Sequence, residues 1–210
     1  MFVRKIIVCA CAAGLLFTSQ ARAGKVTDDL RVIVDKTLEI MKDPAYAGPE
    51  KKEERNKQIH AVADKKFDWE EMARRTLGPH WKEITPAEQK EFIEIFKDFL
   101  ERTYISKIDL FLKESKDFTV KNISYSKEIQ DGKYTMVESK IAMHEEEIPL
   151  NYKLIDKNGN WVVYDLTIEG VGLVANYRTQ FNEILGGSSF KGLIEKLKSK
   201  EGLSIVEKKP

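Results

Sequence analysis

The chain has 210 residues, with 35 basic and 34 acidic side chains and a formal net charge of +1. Three of the basic residues (Arg4, Lys5 and Arg22) fall in the first 23, so the remainder carries 32 basic against 34 acidic residues, net −2. That balance leaves no electrostatic footprint for nucleic acid and argues against a strongly cationic membrane-surface binder.

The chain opens on a secretory pattern. Arg4 and Lys5 precede an apolar run from Ile6 to Phe17, and Ala21-Arg22-Ala23 offers a small-x-small cleavage site, predicting a cleavable signal peptide over 1–23. The run is short of the roughly 20 residues that span a bilayer. A competing reading takes Val8-Cys9-Ala10-Cys11 as a lipoprotein site with Cys11 lipidated, but it leaves an apolar stretch below the ~7–15 residues of a signal core. Both cysteines lie inside the signal, so a chain cut after Ala23 has no thiol for a disulfide, a nucleophile or a metal.

The remaining 24–210 read as one α+β domain with a helical first half, a β-rich middle and a helical tail. Val26, Leu30, Ile33, Val34, Leu38 and Met41 share a helical face that ends near Asp43-Pro44. Residues 50–66 form a highly charged helix with a thin stripe of Ile59, Val62 and Ala63. Asp68 with Glu71, and Thr85-Pro86-Ala87-Glu88, have capping-box spacing, and Phe67 with Met72 has that of a hydrophobic staple. The helix after Pro86 carries Phe92, Ile95, Phe96, Phe99, Leu100, Thr103 and Tyr104 on one side, and continues or bends towards Leu112.

From Phe118 the apolar period changes to two. Asp131-Gly132 and Asn158-Gly159 are hairpin signals, and Glu145-Glu146-Glu147 marks a third turn. These predict a four-stranded twisted antiparallel meander over 118–130, 133–144, 147–156 and 160–169. Ile148, Leu150, Tyr152 and Leu154 share a face in the third strand, as do Val162, Tyr164, Leu166 and Ile168 in the fourth. A greasy sheet face needs cover, and the flanking helices supply it. After Gly170, Val171, Val174, Tyr177, Phe181, Ile184 and Leu185 line a helix stopped by Gly186-Gly187. A last short helix carries Phe190, Leu193, Ile194 and Leu197.

Phosphate-loop, serine-elbow and H-E-x-x-H patterns are absent from the sequence. The histidines, His60, His80 and His144, are not spaced as metal pairs. His144 beside the glutamate run is either a cation site or a charged turn, and the turn needs no further ligand. Asp165, mid-strand among apolar residues, is either a base in a greasy pocket or half of an ion pair with a residue such as Arg178. The aromatic stripes could wall an apolar cavity, but periodicity alone favours an ordinary core, since any core needs such stripes.

The blocks Phe67-Asp68-Trp69-Glu70-Glu71-Met72-Ala73-Arg74-Arg75-Thr76-Leu77-Gly78, Trp81 and Thr85-Pro86-Ala87-Glu88 resemble the MlaC family, also called toluene-tolerance auxiliary proteins. Phe92, Phe96, Leu100, Thr103-Tyr104, Trp161, Val163-Tyr164-Asp165, Glu169-Gly170-Val171, Asn176-Tyr177-Arg178, Gln180-Phe181-Asn182-Glu183-Ile184 and Phe190, Gly192, Leu193, Ile194 continue it in the same order. The resemblance implies a non-enzymatic, monomeric periplasmic phospholipid carrier with no cofactor. Its partners would be an outer-membrane lipoprotein–porin complex and an inner-membrane ABC transporter with an MCE-domain ring, acting to maintain outer-membrane lipid asymmetry. Other branches of the family suggest another lipid, such as a hopanoid. An adaptor with a filled core, or an enzyme with Asp165 as base, are the competing classes. Two acyl chains of about 16 carbons amount to roughly 25 kcal/mol of water avoidance, so a carrier must hide them. The expected lipid-pocket residues are Phe96, Leu100, Tyr104, Met136, Tyr152, Tyr164, Leu166, Val174 and Phe181. Arg178 is a possible head-group contact, with pairing to Asp165 or Glu169 as its other use.

Overall fold

Local chemistry sets where each helix begins and ends. In the computed structural model, which describes residues 24–143, 146–199 and 203, helix α1 (Lys25–Lys42) stops one residue before Asp43-Pro44. Single 3-10 turns lead into α2 (Lys52–Ala63), whose only buried side chain is Ile59. Asp68 caps α3 (Trp69–Leu77) by accepting from the Glu71 amide, and Gly78, at φ +56°, ends it. The Asp68–Glu71 box is only half formed, because Arg74 and Arg75 occupy the Glu71 carboxylate.

The second box closes fully. Thr85 Oγ1 accepts from the Glu88 amide at 3.3 Å, and the Glu88 carboxylate accepts from the Thr85 amide at 2.8 Å. It launches α4 (Pro86–Glu114), an unbroken helix of 29 residues and about 43 Å. Thr85→Ala is expected to cost about 1 kcal/mol, a fall of about 2–4 °C in a thermal melt.

The sheet has five strands, in the order β1 (Ile123–Asp131), β2 (Tyr134–Met143), β3 (Glu146–Lys157), β4 (Asn160–Ile168) and β5 (Val171–Gly172). All neighbours are antiparallel. The four-strand expectation is corrected at both ends. Residues 120–122 form a 3-10 turn, and Val171-Gly172 pairs back on Thr167 and Ile168 through a turn at Glu169-Gly170, both at positive φ. Gly170 therefore turns the chain within the sheet and does not end it. Residues 1–23 and the turn at His144-Glu145 lie outside the described residues.

One bulge rearranges the faces. Asp165 pairs with Lys153, but Val163 pairs with Leu154, so Tyr164 is an extra residue on β4. Alternation slips by one there. Val163 and Leu166 share the face of Tyr152 and Leu154, whereas the strict alternation expected on β4 groups Leu166 with Val162 and Tyr164.

The last helices are α5 (Leu173–Gly187) and α6 (Phe190–Ser199); α5 runs through both glycines before Ser188 caps it. Three packed clusters result. Phe92, Phe96 and Phe99 of α4 meet Tyr177 and Phe181 of α5, with α3 and α6 alongside. Val26 and Leu30 of α1 cover Val137, Tyr152, Leu154 and Val163 on the sheet. A thinner cluster of Ile40, Met41, Ile59 and Ile105 joins α1, α2 and the far part of α4.

Candidate functional site

The three clusters leave a gap where they meet. It is a cavity of about 160 Å³. Ile33, Thr37 and Met41 of α1 and Ile59 and Ala63 of α2 form one wall, and Leu100, Glu101, Tyr104, Ile105 and Ile108 of α4 form the facing one. Phe67, Trp69, Met72, Leu166 and Leu173 close the rest. Larger hollows of about 560–590 Å³ exist, but charged side chains contribute to all of them, such as Lys42, Lys52, Arg55 and Lys113 in one. Unlike these, the small cavity has walls that are almost entirely carbon, which is the property an apolar ligand requires.

Its few polar groups can be followed one by one. Thr37 donates its hydroxyl back to the Ile33 carbonyl at 2.9 Å, a local helix contact. The Tyr104 hydroxyl lies beside that of Tyr177, but neither makes a hydrogen bond of good geometry, and burial pushes both phenols up. Glu101 is 7% exposed. Its Oε2 lies 3.2 Å from His60 Nδ1 on α2, and its Oε1 is buried with no hydrogen-bond partner among the described residues. Burial raises the Glu101 carboxyl to about 7, against the opposing pull of nearby Lys97. Burial and Lys97 both lower His60. Sequence reasoning missed Glu101, although it falls on the line Lys97, Glu101, Ile105, where an i, i+4 pattern already turns inward.

Of the expected pocket residues, Leu100, Tyr104 and Leu166 line this cavity. Phe96 and Phe181 pack edge-to-face in the helical cluster, with centroids 5.8 Å apart. Tyr152 lies under α1, and Val174 is buried in the first turn of α5. Met136 pairs with Lys153, next to the Val137–Tyr152 pair, and so points to the opposite sheet face from Tyr152. Tyr164, displaced by the bulge, lies under the Arg75 guanidinium, 4.2 Å from its ring centre.

Arg178 is engaged elsewhere. Its Nε donates to the Arg75 carbonyl at 2.7 Å, in the last turn of α3, where a cation complements the helix dipole. The pairing with Asp165 or Glu169 is replaced by this contact. Asp165 is a buried ion-pair residue whose partner is Lys153, at 3.0 Å. Its other oxygen accepts from the Val174 amide at 3.0 Å, capping α5 from the neighbouring strand. Both oxygens are committed, and the residue is not among those lining the cavity. Asp165→Asn keeps an acceptor for Val174 but loses the charge pair with half-exposed Lys153. The expected cost is about 1 kcal/mol in a denaturant melt, with bound ligand unchanged.

No group of three or more potential metal ligands occurs among the described residues, and no helix among them is long and apolar enough to cross a membrane.

Fold and cavity together define a helix-wrapped antiparallel sheet suited to enclosing an apolar ligand. The sequence matches the MlaC protein family over residues 31–199, and the chain belongs to that family. Among solved structures it is similar to the phospholipid-binding protein from Ralstonia solanacearum, determined in complex with a phospholipid. The TM-score is 0.62 at 21% identity, covering 81% of this chain and 95% of that one.

Proposed function

We propose that this chain is a non-enzymatic periplasmic carrier of phospholipid, exported by its first 23 residues and monomeric. The observation that carries the reading is the carbon-walled cavity at the junction of sheet and helices. Family membership and the phospholipid held by the Ralstonia solanacearum protein support it. In this reading the carrier exchanges lipid with an inner-membrane ABC transporter bearing an MCE-domain ring and with an outer-membrane lipoprotein–porin complex. It supplies no driving force of its own, since a carrier equilibrates between partners.

At about 160 Å³ the cavity lies below the usual range for enclosing even a drug-sized ligand. Diacyl cargo therefore enters by parting the walls. The wall that yields is α2, because it buries only Ile59, while α1 is held on the sheet by Val26 and Leu30 and α4 is anchored by Phe92, Phe96 and Phe99. The test is to purify the mature domain gently, extract it with organic solvent and analyse the extract by mass spectrometry. Stoichiometric phospholipid is expected. A hopanoid would change the cargo, and a dry extract would favour an adaptor with a filled core.

A further inference from the structure

An apolar cavity of this size has no structural need for a carboxyl group, yet Glu101 is built into its wall. The residue is more than nine-tenths buried, lines the cavity, and has one oxygen without a partner among the described residues. His60 accounts for only half of it: its Nδ1 lies 3.2 Å from Oε2, and Oε1 is left without a partner among the described residues. An unsatisfied buried polar atom is costly, and a ligand that satisfies it gains by the same amount.

We propose that Glu101 is the polar contact for cargo inside the cavity, its neutral carboxyl donating from Oε1 to an ester carbonyl of an acyl-ester lipid. This rests on the carrier reading above. It selects among cargoes: an ester lipid offers the acceptor, and a polycyclic hydrocarbon does not. It also couples cargo to a proton. An acyl chain seated against Oε1 keeps out the water that an ionised carboxylate requires, so loading favours the protonated form and protonation favours loading.

The charged groups around the site are few. His60 and Asp64 face it from α2, and Glu94, Lys97 and Asp98 from α4 itself. Lys97 is engaged by Asp64 at 2.5 Å. The linings from α1, α3, β4 and α5 are uncharged. Because the carboxyl titrates near 7, cargo is held most firmly below that pH and is released as pH rises through it.

The test equilibrates purified protein with vesicles of palmitoyl-oleoyl phosphatidylglycerol, or of its diether analogue, which lacks ester carbonyls. Bound lipid is measured by native mass spectrometry at about pH 6 and about pH 8.5. Wild type is expected to prefer the ester lipid roughly 5- to 10-fold at the lower pH and to lose that preference at the higher one. Glu101→Gln, whose amide still donates, should keep the preference at both. Glu101→Leu should show none at either. If the Leu variant does not fold, the pH-independence of Gln against wild type decides. Equal uptake of ester and diether lipid by wild type at both pH values overturns the assignment of Glu101 while leaving the carrier intact. No bound lipid of either kind in any variant removes the carrier reading itself.

Discussion

Ala63→Trp is expected to strip the protein of co-purifying lipid while leaving it folded. Ala63 lies at the last turn of α2, half-buried, and contributes one of the smallest side chains lining the cavity. An indole there occupies space that acyl chains would otherwise enter. Each methylene kept out forfeits about 0.8 kcal/mol, so four cost about 3 kcal/mol, roughly a hundredfold in affinity. Overpacking of the wall typically costs about 1–3 kcal/mol of stability, and the cluster of Ile40, Met41, Ile59 and Ile105 beside it is thin. Val32→Trp is the control: Val32 is 66% exposed and does not line the cavity, so its lipid content should match wild type. Lipid remaining stoichiometric on Ala63→Trp would move the binding site elsewhere.

The second large effect concerns stability alone. Phe181→Ala is expected to cost about 3–5 kcal/mol and to lower the melting temperature by about 6–20 °C. Phe181 is fully buried and meets Phe92 at 5.9 Å and 87°, Phe96 at 5.8 Å and 78°, and Tyr177 at 5.9 Å. Removing the ring opens a hole between α4 and α5, which the Phe99–Tyr177 contact at 5.4 Å still holds together, so it collapses poorly. Leu110→Ala, at a side chain 61% exposed, should leave the melt almost unchanged. A comparable loss at both positions would mean that the helical cluster is not the seat of stability.

Much of this was legible in the residues. Thr85-Pro86-Ala87-Glu88 announces the start of α4, and the structure forms the box with both bonds. Asn158-Gly159 announces the β3–β4 hairpin, with φ of +57° and +84° at the two positions. The aromatic stripe of α4 announces a buried face. What stayed hidden depends on contacts between distant parts of the chain. The bulge at Tyr164 follows from how β4 docks on β3 and on the Lys66–Asp68 segment, which bonds to Val163 from the other side. Nothing local marks it, and it sends Tyr164 towards Arg75. Met136 is apolar and sits on a strand, which suits a pocket wall, but register decides the face, and its pairing with Lys153 turns it away from Tyr152. Arg178 looked like a partner for carboxylates, yet the exposed carbonyl end of α3 reached it first. A charge on a helix usually faces solvent, so nothing local marks Glu101 as buried beside His60 of α2.

The 29-residue span of α4 has a mechanical consequence. Its first half is clamped by a dense aromatic cluster, and its second half meets α1 and α2 through a handful of aliphatic contacts and a few polar pairs, Arg55–Asp109 and His60–Glu101 among them. One continuous rod therefore joins a stiff compartment to a soft one. Amides of α2 should exchange with solvent through small local openings, while those around Phe96 and Phe181 wait for the whole molecule to unfold. For the proposed carrier, that arrangement lets one side part while the frame around Phe96 and Phe181 stays closed.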